Sequence, residues 1–151
     1  MMEIAGLLAA AGATAHRLDP AHQLVAACMR ADRATAEALL AADPGLVARA
    51  ADPLWGNPLL RAAFLGRPDA VVLGVHVGFP LDDGKGGPPH MAALVGDLAM
   101  VRLLVRLGAD PTAVGLVGDT PGQFAPADPT PAGWAAYNHQ HAVVEFLASL
   151  A

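Results

Sequence analysis

Three histidines are the residues of this sequence best suited to metal binding or proton transfer. His139 and His141 lie two positions apart near the end of the chain, and His90 stands apart from them. Neutral imidazole is a common metal ligand, but residues at i and i+2 of a helix point in different directions. Chelation would therefore need a loop and a third ligand, such as His90 or Asp128. We interpret His139 and His141 as an exposed turn and His90 as a structural residue of a turn.

The other reactive groups do not form a recognisable catalytic motif. The only serine, Ser149, is two residues from the end of the sequence and outside any Gly-x-Ser-x-Gly elbow. The only cysteine, Cys28, is interpreted as a buried apolar residue. Residues 84–87 contain three glycines and a lysine, but two prolines follow and no strand precedes them, unlike a phosphate-binding loop. Asp82 and Asp83 are interpreted as a solvated loop tip. We predict no catalytic residue, metal or cofactor.

Composition narrows the class of protein. The chain has 151 residues, of which 54% are hydrophobic and 15% charged, so it can form one domain with a sizeable core and is not a disordered chain. Its net charge is −5 and its nine basic residues are scattered, which argues against nucleic-acid binding. No apolar run approaches the ~20 residues needed to span a membrane. The opening residues carry Glu3 and lack the positive charge of a secretory signal, so we expect a cytoplasmic protein.

The elements that position these residues are short helices in pairs, and residues 87–110 show the pattern most clearly. Pro88 starts a helix that contains Ala92-Ala93 and ends at a turn glycine, Gly96. The second helix places Leu98, Val101, Leu104 and Val105 on one face. Gly108 then occupies the position of a left-handed C-terminal cap.

The same outline recurs along the chain, with turn positions predicted at Ala31, Gly66, Gly96 and His139. Residues 71–77 have β-branched character that is typical of a strand, but their place in the pattern favours a helix. The interval between the last two turns is long because a Pro- and Gly-rich segment, Gly122–Pro129, precedes the final helix pair. We predict that this segment is a loop.

This pattern resembles the ankyrin repeat: a proline turn, a helix ending in Ala-Ala-x-x-Gly, a second helix and a Leu-Gly-Ala-Asp exit. The resemblance implies an all-α helix-turn-helix solenoid with about four repeats and an N-terminal capping half-repeat. As boundaries we predict a cap over residues 1–18 and repeats over residues 19–52, 53–83, 84–114 and 115–151, in one domain. A solenoid of HEAT or tetratricopeptide type is the alternative architecture, but the short helices and Gly-Ala-Asp exits argue against it.

The resemblance also implies a non-catalytic module that binds a partner protein through its concave face and finger loops. The two residues between the Ala-Ala pair and each turn face that surface in ankyrin proteins. The predicted binding residues are Trp55, Phe64, Leu65, Asp83, Lys85, Leu94, Val95, Leu116, Tyr137 and Asn138. The apolar members either form an exposed groove or are tucked into the stack. The chain is expected to be a monomer or weak homo-oligomer; a homo-oligomeric structural protein and a histidine-based metal protein or enzyme are the alternatives.

Overall fold

A computed structural model describes residues 19–50, 58–81, 87–115 and 126–150, and these residues form helices and connecting turns without any strand. The helices are α1 (Pro20–Met29), α2 (Arg33–Ala42), α3 (Leu46–Ala50), α4 (Pro58–Phe64), α5 (Pro68–Val77), α6 (Pro88–Val95), α7 (Leu98–Arg106), α8 (Pro131–Tyr137) and α9 (His141–Ala148). None of the helices in these ranges is long and apolar enough to cross a membrane. The predicted cap over residues 1–18 lies outside the described residues, as do Trp55, Asp83, Lys85 and Leu116.

Proline is the first residue of all four first helices, α1, α4, α6 and α8, and also of α5. At the first helical position the missing N–H of proline costs nothing, because that group has no partner within the helix anyway. Side-chain oxygens then cap the free N–H groups. Thr130 Oγ1 accepts from the Gly133 N–H at 3.2 Å, and Asp97 Oδ1 accepts from the Met100 N–H at 3.0 Å. The sequence therefore sets where the helices start by local means.

The four predicted turn positions are confirmed, because all four residues have a left-handed backbone. Their φ angles are 56° at Ala31, 67° at Gly66, 78° at Gly96 and 59° at His139. At each turn this residue donates its N–H to the carbonyl three residues back, and the next residue donates to the carbonyl five back. This is the Schellman arrangement that closes helix C-termini. The geometry is therefore kept even where the turn residue is not glycine.

The first helices α4, α6 and α8 pack side by side, and α5, α7 and α9 follow them as the second helices of the pairs. Paired alanines on α4 and α6 are buried between the helices: Ala62, Ala63, Ala92 and Ala93. Small side chains let helices approach closely. These alanines belong to a buried cluster, here named the C-terminal core, that also includes Ala70, Val71, Met100, Val101, Leu104, Ala109, Ala135, Val143 and Leu147.

The short helix α3 follows the first helix pair and was not expected from the repeat pattern. It packs extensively against α1, which makes only slight contact with α4. A second buried cluster lies here, and we name it the N-terminal core; its members are Leu24, Ala27, Cys28, Ala36, Leu46, Ala50, Leu59, Leu73 and Phe79. The first helix pair joins the stack directly, through contacts of α1 with α4 and α5 and of α2 with α5, and α3 packs against this first pair.

Residues 71–77 are helical, as the repeat pattern predicted. They belong to α5, in which Val71, Leu73 and Gly74 are buried. A Cβ atom at Gly74 would collide with the Leu59 side chain of α4. Glycine weakens a helix in isolation, but here it permits the close approach of α4 and α5. Tertiary packing therefore outweighs the strand preference of the valines.

The segment before α8 is non-helical from Pro126 to Pro129, in agreement with the part of the predicted Gly122–Pro129 loop that the structure describes. The Gly115 N–H donates to the Pro129 carbonyl at 3.0 Å. Gly115 and Pro129 are therefore adjacent in space, and Thr130 and Pro131 then start α8.

Candidate functional site

The residues just before each left-handed turn are the centre of the candidate site. Phe64, Leu65, Val95 and Tyr137 are 50%, 56%, 39% and 52% exposed, and Leu94 is half-buried. These values answer the question that the sequence left open, because the four exposed side chains are not tucked into the stack. We call Phe64, Leu65, Leu94, Val95 and Tyr137 the apolar row.

The apolar row runs across three neighbouring helices. Its members occupy the same two positions relative to the turn on α4, α6 and α8, which pack side by side. On α4 and α6 the alanine pair one position further back is buried against the second helices. The row therefore lies on the side of the first helices that faces away from the core. The residues that one helix contributes to the row are called a step.

Asn138 was predicted as a partner-binding residue, and the structure shows it holding two repeats together. Its Nδ2 donates to the Leu94 carbonyl at 2.7 Å. Gln140 Nε2 reaches the same carbonyl at 3.4 Å. A similar bond recurs earlier in the stack, where Arg67 Nη2 donates to the Met29 carbonyl at 3.0 Å. Such bonds between consecutive turns fix the orientation of one first helix relative to the next.

Trp134 supports the row from beneath and was missed in the sequence analysis. It is 8% exposed and packs edge-to-face with Tyr137 at a centroid distance of 6.2 Å. Its Nε1–H donates to the Gly115 carbonyl at 3.2 Å. A signal was present in the sequence, because Trp134 directly precedes the alanine pair of its helix.

The charges near the row are uneven. Arg30, at the α1 end, lies 3.7 Å from the Asp32 carboxylate. A hydrogen bond from the Thr35 side chain, joined by the Thr35 backbone N–H, lowers the pKa of Asp32. Arg61 lies on α4 and is exposed, and it forms no ion pair with any residue in the described ranges. Among the described residues, the α4 end of the row thus carries a positive charge that no ion pair balances.

His90 is a structural residue of the turn before α6, as predicted. It is 1% exposed. Its Nδ1 accepts from the Gly87 N–H at 3.1 Å, and its Nε2 lies 2.7 Å from the Ala113 carbonyl. Because a carbonyl can only accept, Nε2 carries the proton. The ring thereby ties the start of α6 to the loop after α7.

The histidines do not come together as a metal site. His139 is the exposed turn residue and His141 begins α9, with ring centroids 6.5 Å apart, whereas both nitrogens of His90 are already engaged. Within the part of the chain that the structure describes, no three potential ligands lie close enough to hold an ion. His139 lies in an exposed turn, as predicted, whereas His141 is an exposed residue at the start of α9.

Cys28 is buried in the N-terminal core, as predicted. Burial raises the pKa of its thiol to about 11. The group therefore stays protonated near neutral pH, and a protonated thiol is a poor nucleophile.

Helix pairs joined by left-handed turns and stacked in sequence are typical of an α-helical repeat protein. A family model described as the ankyrin repeat matches residues 90–116, which span most of α6, all of α7 and the loop that follows. The resemblance found in the sequence is therefore confirmed for residues 90–116, which match an ankyrin repeat. A search of curated proteins gave no match. The ankyrin repeat points to a role in protein–protein interaction.

Proposed function

We propose that this chain is a non-catalytic module that binds a partner protein through the apolar row and the adjoining finger loops. One observation carries the proposal: four large apolar side chains are exposed at equivalent positions on three adjacent helices. Contiguous apolar surface of this kind marks interaction sites. Aromatic residues such as Phe64 and Tyr137 are frequent among the residues that dominate binding energy.

A preformed surface supports the same function. The bonds from Asn138 and Arg67 to carbonyls of the preceding turns hold neighbouring helices in register. A surface that is already ordered loses little conformational entropy when a partner binds. We propose that Asn138 acts mainly by this bracing.

The finger residues enter the proposal through the ankyrin resemblance. In that family the loops between repeats extend the binding face, and Trp55, Asp83, Lys85 and Leu116 are the residues of this chain that we assign to them. The repeat boundaries at residues 52, 83 and 114 belong to the same proposal. We further propose that the protein acts in the cytoplasm, with its single cysteine in reduced form.

Affinity capture tests this proposal with two valine variants matched in chemistry and exposure. Val95 in the row is 39% exposed, and Val72 on α5 is 40% exposed. We expect Val95→Ser to weaken capture of a specific partner from a lysate of the source organism, and its combination with Phe64→Ser to abolish capture. Val72→Ser should retain it. Circular dichroism must show that each variant is folded. Equal capture by all variants, or no specific capture by the wild type, would contradict the proposal.

Self-association is a second candidate function, because the same apolar row can pair with the row of another copy. Sedimentation equilibrium decides between the two. A concentration-dependent dimer that disappears in Phe64→Ser favours self-association, whereas a monomer at high concentration favours a different protein as the partner.

A further inference from the structure

We propose that the partner segment seated on the apolar row is an amphipathic α-helix with an acidic residue facing Arg61. This inference rests on the proposed binding function and specifies the chemistry of the partner. Two features of the structure lead to it: the spacing of the row and the position of the unbalanced charge.

The spacing of the row matches the repeat of a helix. Packed helices such as α4, α6 and α8 have axes about 8–10 Å apart. A helix rises about 1.5 Å per residue, so residues seven apart lie on one face at about 10.5 Å. A partner helix laid across the row thus brings apolar residues i, i+7 and i+14 over the three successive steps. In a β-strand three residues cover about 10 Å, but residues three apart point to opposite faces.

The width of the row also favours a helix. The steps on α4 and α6 are two residues wide, with Phe64 beside Leu65 and Leu94 beside Val95. A helix offers residues i+3 and i+4 next to residue i, so it can cover both members of a step. A polyproline segment has a similar repeat, about 9.3 Å for three residues, but it offers one side chain per turn. That segment is an outcome that the test distinguishes.

The charge sets the direction of the partner helix. Arg61 stands three residues before Phe64 and therefore on the same side of α4. The contact between Trp134 and Tyr137 shows that side chains with this spacing lie next to each other along a first helix. Arg61 therefore flanks the α4 step of the row. At the α8 end the equivalent positions hold Trp134 and Tyr137, which carry no formal charge. An acidic residue of the partner is complementary only to the α4 end.

The test is a selection of random 18-residue peptides displayed on phage against the whole chain, with binders to Phe64→Ser removed. We expect enriched peptides to carry apolar residues at i, i+7 and i+14 and an Asp or Glu at one end. Arg61→Glu should weaken a selected peptide about tenfold. Replacing the acid of the peptide by lysine should restore binding to Arg61→Glu. Arg106→Glu, an exposed arginine on the second helix α7, should leave the affinity unchanged.

Three results would overturn the inference: enrichment of a three-residue proline pattern, equal binding to Arg61→Glu, or no enrichment above the Phe64→Ser background. Affinity capture distinguishes failure of this inference from failure of the proposed binding function. If affinity capture still depends on Val95 and Phe64 while the peptides show no helical pattern, the binding face stands and the helical partner is wrong. If capture also fails, both are wrong.

Discussion

The N-terminal core and the C-terminal core stabilise the stack in different ways. The N-terminal core joins α1, α2 and α3 to α4 and α5 with large side chains, among them Leu24, Leu46 and Phe79. The C-terminal core contains residues of all six helices from α4 through α9, and it relies on alanines between these helices, such as Ala92 and Ala93. Larger side chains bridge helices that are further apart, whereas alanines require a close and regular approach.

The polar interactions differ in the same way. All ion pairs found among the described residues join side chains between positions 30 and 76, as in the exposed bond between Arg49 and Asp43 at 2.7 Å. That part of the chain also has a bond of the other kind, from Arg67 to the Met29 carbonyl. Later in the stack, more side chains bond to backbone carbonyls, among them His90 to Ala113, Trp134 to Gly115 and Asn138 to Leu94. A bond to the backbone fixes the position of the next repeat more directly than a surface ion pair. Regular stacking thus depends on bonds aimed at the main chain.

The largest expected effect comes from opening either core. Leu46→Ala and Leu104→Ala each remove a fully buried side chain, and we expect each to lower the free energy of unfolding by about 3 kcal/mol. Because distant repeats contact only their neighbours, the damage should stay local. Native-state hydrogen exchange should rise mainly in α1 and α3 for Leu46→Ala, and mainly in α6 to α9 for Leu104→Ala. Equal acceleration along the whole chain in both variants would show that the two cores form one cooperative unit.

The next effect compares a buried histidine with an exposed one. His90→Ala leaves the Gly87 N–H and the Ala113 carbonyl without their partner, so we expect a loss of about 2 kcal/mol in the free energy of unfolding. His76→Ala removes a half-exposed contact to Glu37, and we expect a much smaller change. Urea unfolding at pH 7 measures both. Similar losses in the two variants would refute the distinction between backbone-directed bonds and surface pairs.

Substitutions at two of the left-handed turns should change the free energy of unfolding in opposite directions. Ala31→Gly relieves a left-handed alanine and should stabilise the protein by about 0.5–1 kcal/mol. Gly96→Ala imposes the same strain and drives a Cβ into the Gln140 side chain, so a loss of about 1–2 kcal/mol is expected. Thermal unfolding checks both values. If both substitutions destabilise, Ala31 is held by contacts that alanine alone provides.

The smallest effect is on acid stability. A hydrogen bond from the Arg49 side chain, followed by one from the Gly45 N–H, lowers the pKa of Asp43. A lowered pKa in the folded state stabilises the protein above the unfolded value of about 4, and this contribution is lost as the pH falls through the folded value. We therefore expect Asp43→Asn to lose slightly less stability than the wild type between about pH 5 and pH 3. Urea midpoints at the two pH values test this, and identical losses would contradict it.

Much of the fold could be predicted because its signals are local. The turn positions at Gly66, Gly96 and His139 follow from their distance to the alanine pairs, and Ala31 follows from a looser match of the first helix pair. The left-handed geometry repeats whatever the turn residue is. The helical state of residues 71–77 followed from the repeat pattern. The α3 helix could not be predicted in this way, because it has five residues and its burial against α1 depends on tertiary contacts.

The candidate site was predictable in position, because the two residues before each turn can be read from the sequence. The exposure of these residues could not be predicted, because an apolar residue at this position is compatible with an exposed groove and with a buried contact. Only the packing of α4, α6 and α8 decided that Phe64, Leu65, Val95 and Tyr137 face solvent. Asn138 illustrates the same limit: its amide was assigned to a partner, and its bond to Leu94 joins residues 44 positions apart.

The sequence by itself determined the class of fold, the turns and the helix starts, because proline, glycine and capping side chains act over a few residues. The tertiary structure alone decided which apolar residues are buried, how α3 fills the N-terminal core and which side chains bind across repeats. These depend on distances between helices that are far apart in the chain. Interactions over a few residues determine the repeated helix pair, and packing between the pairs determines which side chains are exposed on the surface of the stack.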